Sequence, residues 1–544
     1  MRLTHAAVTV TMTAVVFACA SITVAQTVRD ADVIERLGMK EAGKSGPLST
    51  ANHSKLTPEQ ALRIRILEVE SGERAFANRV PDSEIIVGPP LNEREQIVHV
   101  MNRMAFGPKS GQVDEMLKQG GWVSWVEQQL DPESLTDSKL DSLLAERFPW
   151  TKMSLQQIYQ KYPLPENAEN QPQLRRELRE SIVVRAALSE KQFKEVMCEF
   201  WRNHLCIDQP EGNAPRRSWS ACHYEENVIR KHAFGKWPEM LMASATHAGM
   251  LEYLDNYVSR KGAWNENYAR ELMELHTLGA DRYYNEQDVL ELSLTLTGWT
   301  YNDNMGFMFR SNWHDDNAHK VLGQKMPGGE EGGKFAVQML AHHPGTARFL
   351  SEKLCRYLVN DNPPKSLVTK ATNTFRASKG DLKKVYREIV LSEEFMSRIN
   401  YKAKFKTPFE FTISALRAVN ANPADAVSTT DNLVAMGQDI YGCFDPTGYY
   451  DHAEAWLDAG VLTRRWNYAL AMVSGRVKGV TVDAAIFDKY KGENTAATKA
   501  KLLADLIGGD IGDAEHKVLD KLIESGNIAR AVGLVMGSPS FQQQ

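Results

Sequence analysis

The sequence lacks the motifs that usually announce an enzyme. It has no GxGxxG run, no Walker phosphate loop, no GxSxG elbow, no HExxH zinc motif and no obvious Ser-His-Asp order. The glycines at 327–333 do not form a nucleotide loop either. Cysteine is scarce, six in 544 residues, and no CxxC pair occurs, which argues against a cysteine zinc site. Charge of one sign is also missing. The net charge is -5 with no basic tract, so there is no electrostatic case for nucleic-acid binding. No apolar run is long enough for a buried transmembrane span.

What is present begins with a leader. Arg2 and His5 precede an apolar run over about 6–18, followed by Ala18-Cys19-Ala20 and Thr23-Val24-Ala25-Gln26. This is the pattern of a secretory signal peptide over 1–25, cleaved after Ala20 or Ala25. A lipoprotein reading through Cys19 is the alternative, and Phe17 fits it poorly. Cleavage leaves an extracytoplasmic protein, periplasmic or secreted. Its cysteines are then Cys198, Cys206, Cys222, Cys355 and Cys443, an odd set for an oxidising compartment. Cys206 and Cys222 flank a Pro- and Gly-containing loop and are the best disulfide candidates. The competing reading makes all five small buried apolar residues.

Residues 26–90 form a polar extension with one helix, opened by Thr57-Pro58-Glu59-Gln60. From 91 to 544 helix-period patterning dominates, including one long amphipathic helix over 174–203. Strand-like alternation is confined to an insertion at about 301–333. The expected fold is mostly α: a large multi-helix body with one small β-hairpin-like insertion.

The densest chemistry lies at 264–300, which reads as two helices joined at Gly279-Ala280-Asp281. The first runs from near Asn265 to a left-handed cap at Gly279, and the second from near Asn285 to Gly298. At about 100° per residue, Tyr268, Ala269, Leu272 and Leu275 fall on one side. Glu266, Asn267, Arg270, Glu271 and Glu274 crowd the other. This is either a surface ion-pair ladder or a functional face. A second candidate is His204, which closes the run Phe200-Trp201-Arg202-Asn203-His204 at a helix end.

These stretches resemble the bacterial family designated domain of unknown function 1800. The likeness rests on residues 99–108, 200–204, 265–279 and 297–299, on His314-Asp315-Asp316, on His343-Pro344 with Ala347-Arg348-Phe349, on Lys406-Thr407-Pro408-Phe409-Glu410, and on Pro446-Thr447-Gly448-Tyr449. It covers residues 91–544. The resemblance implies a fold and a secreted compartment but no reaction, and family members are often encoded beside a sulfatase-like partner. Cys206 and Cys222 are not part of the family pattern.

The residues themselves suggest chemistry. Glu271, Glu274, His204, His314 and Asp315 are a donor set for a divalent metal if they converge. Glu271 and Glu274, oriented by Arg270 and joined by His204, are the candidate catalytic group for metal-assisted hydrolysis of an extracellular or envelope polymer such as a polysaccharide. A metal-free version uses the two carboxylates as acid and base. His276 points toward the apolar side and reads as a buried histidine hydrogen-bonded to backbone. The rival reading is a non-catalytic helical scaffold, or a binding partner of a secreted sulfatase-like protein.

Overall fold

Local sequence signals start many of the helices. In Glu93–Met104, the Asn92 side chain accepts from Glu95 N at 3.0 Å while Glu95 accepts from Asn92 N at 2.9 Å, so two otherwise orphaned amides are satisfied. The same reciprocal cap opens Leu155–Lys161, Glu286–Thr295 and Pro408–Ala418. Once started, each helix buries its apolar stripe. In Leu382–Val390 the buried residues are Leu382, Val385, Tyr386, Ile389 and Val390, a 3.6-residue period.

The computed structural model describes residues 89–162, 172–208, 215–280, 282–302 and 304–544. The leader, the polar extension with its Thr57 helix, and Cys19 lie outside the described residues. Residues 89–544 are one compact unit built of helices with small two-stranded sheets. Successive helices pack as neighbours: Pro344–Leu358 on Lys365–Ala377, that helix on Leu382–Val390, and Thr495–Leu506 on Asp513–Glu524. Ala459–Val473 pairs with the more distant Ile528–Gly537. Among the described residues no helix is long and apolar enough to cross a membrane.

Two expectations are corrected. The helix expected over 174–203 is two, Pro172–Leu188 and Gln192–His204. The break is stabilised from outside. The Asp137 carboxylate accepts from Ser189 Oγ at 2.6 Å and Glu190 N at 2.7 Å, and Gln129 accepts from Phe193 N at 3.0 Å. The β structure is also less confined than the alternation suggests. Trp299–Tyr301 pairs with Phe307–Phe309, and Lys320–Val321 with Lys325 and Gln324, so the insertion is two hairpins. A third pair joins Asn422–Pro423 to Val480–Thr481, outside the insertion.

The core that positions the site surrounds Trp201. Its ring stacks on Trp237 at 5.2 Å, and its Nε1 donates to Tyr386 Oη at 2.6 Å. Tyr386 in turn donates to the Ala233 carbonyl at 2.7 Å, so both polar tips are satisfied in a fully buried aromatic cluster. The C-terminus closes the other side, with Lys404 and Gln544 exchanging backbone hydrogen bonds at 3.1 and 2.8 Å.

Candidate functional site

The helix Gln192–His204 and the loop at 438–451 meet through a reciprocal side-chain clamp. Asn203 Nδ2 donates to the Tyr449 carbonyl at 2.8 Å, and Tyr449 N donates to Asn203 Oδ1 at 2.7 Å. Gly448 has φ of 75°, and a Cβ there would sit 2.4 Å from the Asn203 carbonyl oxygen. Only glycine lets the loop approach this closely. Between helix and loop lies a small cavity of about 30 Å³, bordered by Glu199, Arg202, Cys206, Gln438, Tyr441 and Cys443 among others.

Beneath it runs a buried ion network. Arg202 forms a bidentate pair with Glu225, at 2.9 and 3.0 Å, and also contacts Glu199. Arg230 grips Glu195 at 2.6 and 2.7 Å, and Tyr441 Oη donates to Glu225 at 2.8 Å. Burial alone would raise the Glu225 carboxyl, but Arg202 and the other donors bring it down to about 2. Glu199 goes the other way: burial lifts it to about 6 despite the pull of Arg202.

His204 lies inward, 2 % exposed, at the end of the same helix. Its Nε2 is 3.2 Å from the His276 carbonyl, which can only accept, so Nε2 carries the proton. Its Nδ1 then accepts from Lys353 Nζ at 3.0 Å. Burial, with Lys353 alongside, holds His204 well below the usual histidine range. Burial and nearby Arg356 lower the Lys353 ammonium to about 8.

The carbonyl that His204 uses is presented by a change of helix type. Asn267–Met273 is α-helical, but Glu274–Leu278 is a π turn, not the uniform helix expected. Thr277 Oγ1 donates to the Leu272 carbonyl at 2.7 Å within this turn. Single π turns of this kind often occur at functional sites. Gly279 ends it with φ 82° and ψ 157°, an extended conformation of positive φ, not the expected left-handed cap. His276 is buried as expected. However, its Nε2 has no hydrogen-bond partner, and it is the backbone of His276, not the ring, that makes the contact.

The sorting of the Glu271 helix agrees with its periodicity. Tyr268, Ala269 and Leu272 are buried, while Glu266, Arg270, Glu271 and Glu274 are half-buried; Leu275, expected on the apolar side, is half-buried too, because it lies in the π turn. Arg270 does not orient Glu271. It makes a bidentate pair with Glu286 on the next helix, at 2.9 and 2.7 Å, and lies 3.6 Å from Glu266. Glu274 accepts from Tyr284 Oη at 3.2 Å. Glu271 is left facing like charges. Burial first, then Glu274, then Asp445 from the loop, raise its carboxyl to about 7. Asp445 is held in place by accepting from Thr447 N and Oγ1 at 2.9 and 2.8 Å.

His314 and Asp315 belong to a different local structure. His314 Nδ1 bonds the Thr297 carbonyl at 2.9 Å and its ring packs on Phe309. Asp315 accepts from its own turn at Asn317, and lies 3.3 Å from His319, which contacts Glu291 at 3.0 Å. These contacts pin the insertion to the helix Glu286–Thr295. Among the described residues, no group of three or more His, Cys, Asp or Glu is placed to hold a metal ion, so the expected donor set is not assembled. The cysteine expectation is corrected too. Cys206 and Cys222 are both free, and the neighbour of Cys206 is Cys443.

Sequence reasoning missed Lys353, Asp445, Glu225 and Tyr441. Asp445 and Tyr441 flank the Pro446-Thr447-Gly448-Tyr449 motif, a signal that was available. Lys353 sits on an otherwise ordinary amphipathic helix and carries no local signal.

The motif at residues 99–108 packs against the helix Pro408–Ala418 and its neighbours. Arg103 donates to the Val359 and Asn400 carbonyls at 3.0 and 3.2 Å, and Ser414 and Arg417 bond the Phe106 and Gly107 carbonyls, both at 2.9 Å. The family described as "Protein of unknown function (DUF1800)" matches residues 99–543. The chain belongs to the DUF1800 family. No curated protein and no solved structure matches it.

Proposed function

We propose that this DUF1800 protein is an extracytoplasmic hydrolase of an extracellular or envelope polymer, working by acid–base chemistry at Glu271, Glu274 and Asp445. What carries the reading is half-buried Glu271, on which Glu274 and Asp445 act as like charges while the neighbouring Arg270 is engaged by Glu286. Glu271, raised to about 7, holds its proton about half the time at neutral pH and is suited to protonate a leaving group. A neighbouring carboxylate then draws the proton from an attacking water. Strongly exposed aromatics support a polymer substrate: Phe444, beside Asp445, is 86 % exposed, and Trp264 and Tyr283 flank the Glu271 helix in sequence. Their faces suit stacking on sugar rings.

The test is release of reducing ends from a panel of peptidoglycan and sulfated and unsulfated polysaccharides. Wild type should cleave at least one, and Glu271→Gln should lose about 10²–10⁴-fold in kcat. Absence of cleavage across the panel, or an active Glu271→Gln, overturns the reading. A second reading, a helical scaffold for a secreted sulfatase-like partner, is favoured by the Arg270–Glu286 pair, which locks the two helices together. Co-purification with such a partner that survives Glu271→Gln, with no hydrolysis by wild type, would support it.

A further inference from the structure

We propose that Cys206 and Cys443 form a disulfide that fastens the 438–451 loop to the end of the Gln192–His204 helix. The two residues are 237 apart in sequence, yet Cys206 Sγ donates to the Cys443 carbonyl at 3.6 Å, and Cys443 Sγ donates to the Asp445 carbonyl at 3.5 Å. Both border the small cavity between helix and loop. A sulfur this close to the other cysteine's own backbone needs only side-chain rotation to approach the bonded spacing of about 2 Å.

The other cysteines have a different character. Cys198, Cys222 and Cys355 are fully buried, and burial pushes each thiol up. Cys443 is partly exposed, and Cys206 alongside, with the Asp445 backbone, holds its thiol below the usual range. Cys443 is therefore the nucleophile. Its thiolate attacks a small-molecule disulfide such as oxidised glutathione, releasing one thiol and leaving a mixed disulfide. Cys206 then attacks the Cys443 sulfur and releases the second thiol. Two protein thiols are oxidised, one exogenous disulfide is reduced, and the two protons leave on the small thiols. The bond would hold Asp445, two residues along, in its place beside Glu271, but its formation does not depend on the hydrolytic reading.

The test uses the mature chain, incubated with oxidised glutathione, denatured, alkylated with N-ethylmaleimide and mapped by peptide mass spectrometry. The expected result is a Cys206–Cys443 linked peptide with Cys198, Cys222 and Cys355 alkylated. Cys443→Ser should abolish the link and leave Cys206 alkylated, whereas Cys222→Ser should retain it. Three results overturn the proposal: alkylation of both Cys206 and Cys443 after oxidation, a link from either to Cys222, or glutathione retained on Cys443 alone.

Discussion

Two clusters of carboxylates, around Arg202 and around Glu271, use the same residue type to opposite ends. At Arg202, each buried carboxylate faces a guanidinium, and Glu225 is driven down to about 2 although no water reaches it. At Glu271, the one nearby guanidinium is turned away to Glu286, and the carboxyl rises to about 7 although it is only half-buried. Burial penalises the charge in both places; the combined grip of Arg202, Arg230 and Tyr441 outweighs it at Glu225, the single contact to Arg202 does not at Glu199, and at Glu271 no pair forms. The closed network fixes how the helix Gln192–His204 sits against the Glu225 turn. The open one keeps a titratable proton at the surface.

Breaking the closed network should have the largest effect. Arg202→Met removes the bidentate partner of Glu225 and strands a buried carboxylate, at a cost of about 3–5 kcal/mol in denaturant unfolding. Its pH dependence is diagnostic. In wild type, the depressed Glu225 carboxyl contributes stability that is full above its unfolded value of 4.5 and is lost as pH falls toward about 2, amounting to about 3 kcal/mol. In the variant burial dominates, Glu225 rises, and the protein should be more stable at pH 4 than at pH 7. A variant with the wild-type pH profile would show that Arg230 and Tyr441 suffice, and the contrast between the clusters would weaken.

The connection between the clusters is the Asn203–Tyr449 clamp. Gly448→Ala places a Cβ against the Asn203 carbonyl in a conformation of positive φ. The expected loss is about 1–3 kcal/mol. Hydrogen exchange should locate it to residues 438–451, with the helix Gln192–His204 still protected. Global loosening instead would mean that the loop is part of the core and not a separable arm carrying Asp445.

Much of the fold was legible because amphipathic helices announce themselves. The buried and half-buried faces of the Glu271 helix follow from a 3.6-residue period, and the Asn285 cap from residue type. What was hidden depends on distant partners. The break at 189–191 exists because Asp137 and Gln129 take up its free groups, and neither is near in sequence. The π turn at Glu274–Leu278 violates the period used to place its side chains, so the role of the His276 carbonyl was not foreseeable. Glu271 and Glu274 were identifiable as an unusual pair, but their third member, Asp445, comes from a loop more than a hundred residues away. The same non-local packing separates His314 from them.

The subtlest test lies at Glu271. Its folded-state carboxyl is raised above its unfolded value of 4.5 to about 7. Between those values the unfolded chain releases the proton while the folded protein keeps it, so stability falls as pH rises, and above 7 the full penalty is present. Glu271→Gln keeps the shape and removes the charge. It should leave stability unchanged at pH 4 and raise it at pH 8 by about 1 kcal/mol, the larger nominal value being discounted for solvent screening of a half-buried group. Glu274→Gln should recover part of that gain, since Glu274 is the stronger of the two like charges acting on Glu271. The readout is thermal unfolding at the two pH values. A Glu271→Gln protein equally or less stable at pH 8 would mean that the carboxylate is compensated there, and the distinction between a paired and an unpaired cluster would fail at its open end.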